Sequence, residues 1–308
     1  MDPIQMLFIG VVAPGALALG VVALVLVARA RLQRVSVRDL AARPSPAAGV
    51  ALATGYALAF ALILGWPALP PVDVTPVGPW VALAAVPLGL LAGWRRTAAV
   101  TALGLAVGLF LAGPAHEGAA LAGHAALVAL TFGVLDFGLR RLMERTDPRG
   151  GAVAVLVFLS GAAAALMLSD TASLAQTLGG LAAATGALMV AGFVARGLAD
   201  LRRATPVLAA VVATNLHAVT LYASGRYEVL ALIALAPLAL AFVLARLRRR
   251  EGKLFGLAVP AALMALPIAL AGGIAARAYF TGAAPAASSG ASPGASPSEA
   301  NDADYGYE

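Results

Sequence analysis

The stretch "ATNLHAVTLYASGRYE", from Ala213 to Glu228, gathers Thr214, Asn215, His217, Thr220 and Tyr222 where the neighbours are almost all Ala, Val and Leu. These side chains bring hydroxyl, amide and imidazole groups, which donate and accept hydrogen bonds with little charge. They suit a small, weakly charged solute, and His217 could in addition carry a proton or ligate a metal. Wound as a helix from about Pro206, the segment puts His217 ~16 Å along the axis. At 100° per residue, Thr214, His217, Leu221 and Ser224 share one face, with Thr220 at its edge. Asn215 and Tyr222 lie on another stripe about a third of a turn away. In apolar surroundings both stripes must face protein or water, because polar groups exposed to lipid are costly. The same groups also hold helices together by hydrogen bonds. Solute binding and bundle packing therefore both remain open for this segment.

A second imidazole, His124, lies about as far from the outer end of its own apolar block as His217 does. Two such rings facing each other from different helices could ligate a haem or a metal. His116 and Glu117, in the short loop "PAHEG", would add ligands. Asp136 sits one turn before Arg140 in the favourable i,i+4 order and reads as half of an interfacial ion pair. Tyr222, Arg226, Tyr227 and Glu228 would either frame the outer mouth of a cavity or serve as interface anchors.

No catalytic set accompanies these residues. The chain has no cysteine, which excludes disulfides, thiolate metal sites and Cys nucleophiles. It has no G-x-S-x-G, no H-E-x-x-H and no phosphate-binding glycine-rich loop with lysine. The sole lysine, Lys253, falls at the start of the last apolar block, which argues against a retinal-type Schiff base. Carboxylates inside the apolar blocks are too few for ordinary ion-coupled transport.

What must position the polar residues is a membrane bundle. Hydrophobic residues make up 61% of the 308 and charged residues 12%, about half the usual share in a soluble domain. The apolar residues form long runs near the length that spans a hydrocarbon core of ~30 Å. Ten blocks can be drawn, roughly 6–28, 47–67, 79–94, 97–113, 119–139, 151–169, 174–195, 206–224, 229–246 and 254–276. The expected fold is an all-α integral membrane protein with about ten transmembrane helices in one bundle over 1–281. Blocks 79–94 and 97–113 are short, so a re-entrant hairpin competes there with two tilted spans. The spacings Gly89/Gly93 and Gly104/Gly108 would let those two blocks pack closely.

Orientation follows from the arginines. Of 21 basic residues, 19 fall at alternate ends of the blocks, in five separate loops; Arg226 and Arg277 are the exceptions. The positive-inside rule then puts both termini on the non-cytoplasmic side. The first block is an anchor and not a cleavable signal, because its charges follow the apolar run. Trp66, Trp80 and Trp94 fall at block ends, as interfacial anchors do. The tail 282–308 is rich in Ala, Ser, Pro and Gly, ends acidic, and reads as disordered. The Ala/Leu/Arg-dominated usage with one lysine points to a GC-rich bacterial genome, hence an inner membrane. The net charge of +6 sits in scattered clusters with no continuous basic face, so nucleic acid is not expected as a partner.

Three functions follow from these residues. The first is a permease or facilitator for a small, weakly charged solute that uses Thr214, Asn215, His217, Thr220 and Tyr222. The second is a non-catalytic subunit of a membrane complex or homo-oligomer. The third is an intramembrane redox protein holding haem or metal at His124 and His217.

Overall fold

A computed structural model of the chain describes residues 8–41, 47–67, 76–169, 171–223, 225–247 and 253–281. The tail 282–308 lies outside the described residues, as does Ser224. Among the described residues all regular structure is helical. A π-turn, Phe8–Val12, leads into α1 (Ala13–Gln33), and short α2 (Val37–Ala41) follows. Then come α3 (Ala47–Leu64), α4 (Val77–Ala85), α5 (Gly93–Ala112) and α6 (Gly118–Arg145). The chain continues through α7 (Pro148–Met167), α8 (Ala172–Val194), α9 (Thr205–Tyr222), α10 (Tyr227–Leu247) and α11 (Lys253–Phe280).

Nine of the described helices are long and apolar enough to cross a membrane, and this is the pattern of a multi-pass membrane protein. The expected tenth span is different. Block 79–94 is the nine-residue α4 followed by a 3-10 turn, Pro87–Leu90. Pro87 has no amide proton to continue the helix. Leu91 and Ala92 are extended, and Gly93 at φ +58° restarts the chain as α5. Trp94, Arg95 and Arg96 therefore open α5 instead of closing the preceding span.

The helices pack as a ring around an axle. Neighbour touches neighbour in the order α5, α6, α10, α11, α7, α8, α3, α4 and back to α5, with α1 laid against α3 and α8. In the middle stands α9, which meets α3, α4, α5, α6, α7, α8 and α10. Every residue from Thr205 to Val219 is buried. Its Thr, Asn and His side chains would be costly against lipid, and the central place removes them from it.

Small residues set the close approaches. A methyl group at Gly104 would lie 2.8 Å from Phe132 and 2.9 Å from Ala129 Cα. One at Gly108 would lie 2.7 Å from Ala125 Cα. The Gly104/Gly108 pair is thus the seam between α5 and α6, not a contact between blocks 79–94 and 97–113 as its spacing had suggested. Gly89 serves another purpose: any Cβ there would collide with the Arg203 carbonyl at the foot of α9.

Candidate functional site

The polar groups of the bundle collect on α9 and its neighbours at three places. At the arginine-rich end, Arg96 reaches from the first turn of α5 to Asp136 on α6. Its Nη2 lies 2.6 Å from Asp136 Oδ1 and its Nε 3.2 Å from Oδ2. The two side chains are 6% and 2% exposed, so this ion pair is buried. Thr205, the first residue of α9, donates to Asp136 Oδ1 at 2.5 Å and accepts from Arg96. Arg96 Nη1 donates to the Arg202 carbonyl at 3.1 Å. Asp136 is therefore not the partner of Arg140, whose nearest carboxylate is Glu144 at 4.0 Å. The local i,i+4 geometry yields to a long-range partner because a guanidinium fork fits a carboxylate through two parallel hydrogen bonds.

Half-way along α9, the polar side chains diverge. Asn215 turns towards α3, where its Nδ2 donates to the fully buried Tyr56 hydroxyl at 3.3 Å. Thr177 of α8 stands at the same hydroxyl. His217 turns towards α6, with Nε2 2.9 Å from Thr131 Oγ1. Thr131 spends its single proton on the Leu127 carbonyl, 2.8 Å away, so its oxygen accepts from His217. The network thereby assigns the proton of the neutral ring to Nε2 and leaves Nδ1 as a bare acceptor. Nδ1 has no hydrogen-bond partner among the described residues, and neither has the hydroxyl of Thr214. Both residues are buried, 0% and 3% exposed, and they sit three apart on α9, one above the other.

At the opposite end, Thr220 donates to the His217 carbonyl of its own helix. Tyr222 donates to the Leu111 carbonyl at 2.5 Å and ties the end of α9 to α5. His124 has one ring nitrogen 2.9 Å from the Tyr227 hydroxyl and the other 3.2 Å from the Ala120 carbonyl. His116 stacks on it with ring centroids 4.1 Å apart.

No family model, curated protein or solved structure matches the chain. Its chemistry has to be read from the residues themselves.

Of the five candidates on α9, the structure brings Thr214 and His217 together. Asn215 is committed to Tyr56, and Thr220 and Tyr222 bond backbone. His217 binds Thr131, which lies two turns, ~10 Å, further along α6 than His124, and both nitrogens of His124 are engaged. Among the described residues no three His, Asp or Glu side chains converge as metal ligands. Tyr56, Thr131 and Arg96 were not singled out from sequence as binding residues. For Arg96 a signal existed: it shares one helical stripe with Val100, Gly104, Val107 and Leu111, all buried.

Proposed function

We propose that this multi-pass membrane protein is a facilitator-type permease for a small, weakly charged solute that donates a hydrogen bond. Thr214 and His217 hold the solute. The observation that supports this reading is the pair of buried, unpartnered polar atoms one turn apart on the central helix. Leaving such a group unsatisfied costs about 1–3 kcal/mol, and native interiors leave few of them. A solute N–H or O–H donated to His217 Nδ1, with an acceptor for the Thr214 hydroxyl, relieves both. Amides and short polyols carry that combination.

Because α9 is enclosed along fifteen consecutive residues, this arrangement corresponds to an occluded site. Access requires neighbouring helices to part. The break between α4 and α5, Pro237 inside α10, and Pro260 and Pro267 inside α11 are the natural bends.

The test is flux into proteoliposomes of the purified chain, with urea, acetamide and glycerol offered separately. At least one solute should cross faster than in protein-free vesicles, and Thr214→Val and His217→Leu should each remove most of that excess. Rates equal to empty vesicles for every solute, or full flux in both variants, would end the reading. Stoichiometric co-purification of other subunits alongside absent flux would instead make the chain an accessory component.

A further inference from the structure

Away from α9, a groove of about 1110 Å³ runs along the outer surface of the α5–α6 seam. Trp94, Thr97, Thr101 and Leu105 line it from α5, and Leu130 and Arg140 from α6. From Trp94 to Leu105 the helix rises ~16 Å, about half of a ~30 Å hydrocarbon core. The groove is thus as deep as one leaflet. Its walls are apolar along most of that depth, and its cations stand at one end.

That end is built around Phe137. The guanidinium carbons of Arg140 and Arg141 lie 5.6 and 5.2 Å from the centre of the Phe137 ring. Exposed Arg95 opens α5 beside Trp94. The Arg140 Nε is buried and has no hydrogen-bond acceptor among the described residues. Glu144 is the carboxylate that faces both arginines, 3.2 Å from Arg141 and 4.0 Å from Arg140, so it leaves the cluster net positive. On the far side of Phe137 a smaller groove of about 260 Å³ is lined by Arg141, Leu238 and Phe242. One aromatic ring therefore divides two apolar channels that share a cationic head.

We propose that this surface binds one anionic diacyl phospholipid from the leaflet at the arginine-rich end. The phosphate oxygens accept from the guanidinium groups of Arg140 and Arg141. One acyl chain lies in the α5–α6 groove, and the second lies across Phe137 towards α10. A guanidinium fork matches two phosphate oxygens, which both lipids carry, and the anionic lipid is favoured because a choline headgroup brings its own cation against the arginine cluster. Basic pockets between transmembrane helices are a recognised kind of anionic-lipid site. The apolar channels are what distinguish this site from one for free phosphate, which would use the arginines alone.

The test uses the full-length chain, delipidated in a neutral detergent and then offered palmitoyl-oleoyl phosphatidylglycerol or the matching phosphatidylcholine. Native mass spectrometry counts retained lipid. One phosphatidylglycerol per chain should be held, about tenfold more tightly than phosphatidylcholine. Arg140→Gln should remove about that tenfold preference, because one cation leaves the cluster that repels choline. Ala102→Trp fills the channel from an exposed position on α5 and should abolish retention while leaving the fold intact. Equal binding of the two lipids would overturn the proposal, as would wild-type retention in either variant. Displacement of phosphatidylglycerol by millimolar inorganic phosphate would identify an anion site without a lipid and overturn it equally.

Discussion

Replacing Asp136 by leucine would leave the Arg96 guanidinium buried with the Arg202 carbonyl and the Thr205 hydroxyl as its only remaining acceptors. Arg96→Met would in turn leave a carboxylate, 2% exposed, with one hydroxyl donor. Removing one partner of a buried pair typically costs about 3–5 kcal/mol, because the survivor is desolvated without a counter-charge. Replacing both partners by apolar groups of similar volume is commonly neutral, or stabilising by about 1–4 kcal/mol. The two single losses therefore sum to about 6–10 kcal/mol, while the double variant Arg96→Met/Asp136→Leu should lose clearly less than that sum, its remaining cost being the Arg202 carbonyl and Thr205 hydroxyl left without partners. That discrepancy is far above the ~0.5 kcal/mol scatter seen for independent sites. The assay is reversible unfolding in mixed micelles of increasing dodecyl sulfate, followed by tryptophan fluorescence and helical circular dichroism. The chain has three tryptophans to report, and Trp94 lies two residues from Arg96. If the double variant is as unstable as the sum of the singles, or each single loses less than about 1 kcal/mol, the two groups are not a buried pair and the packing of α9 against α5 and α6 is misread.

Two further outcomes are expected. Thr214→Val keeps the shape of the side chain and deletes an unpartnered hydroxyl, so the solute-free protein should gain about 1 kcal/mol; a clear loss in the same unfolding assay would show that the hydroxyl has a partner after all. Gly104→Ala places a methyl 2.8–2.9 Å from Phe132 and Ala129 and should cost about 1–3 kcal/mol by overpacking, whereas an unchanged midpoint would mean the α5–α6 seam is looser than described.

Long apolar runs were legible because the bilayer imposes a length on them, and that holds for α3, α6, α7, α8 and α11 with ends shifted by a few residues. The α4–α5 region was not. A proline in an apolar block is tolerated as a kink in some membrane helices and breaks others, and only the Gly93 turn and the crowding of Gly89 against Arg203 decide which occurs. Interior placement of the α9 polar residues could be read from their company, since Thr, Asn and His amid Ala, Val and Leu have nowhere else to go. Their partners could not. Tyr56 is 159 residues from Asn215, and Asp136 is 40 from Arg96, so each pairing depends on how the ring closes and not on any local spacing. Arg140 offers Asp136 a partner one turn away, but the two parallel hydrogen bonds from Arg96 outcompete it. Depth counting along two helices placed His124 and His217 level, but it says nothing of which way each ring turns.

The two ends of α9 are held by different chemistry from its middle. Its first residue, Thr205, is clamped between Arg96 and Asp136, and its last, Tyr222, is bonded to the Leu111 backbone. Both clamps reach α5, and one also reaches α6. On the α3 side the Asn215–Tyr56 bond satisfies the polar groups that face it. On the α6 side His217 holds Thr131 with one nitrogen and nothing with the other. A helix pinned at both ends and satisfied on one face is a poor moving part but a good fixed wall. On the proposed reading, then, α9 stays in place while its surroundings shift, and the solute passes along the face that carries Thr214 and His217. The α3 side would remain closed. Burying Asn215 against Tyr56 would then serve to hold that wall, which is why the two polar stripes of one helix carry different work.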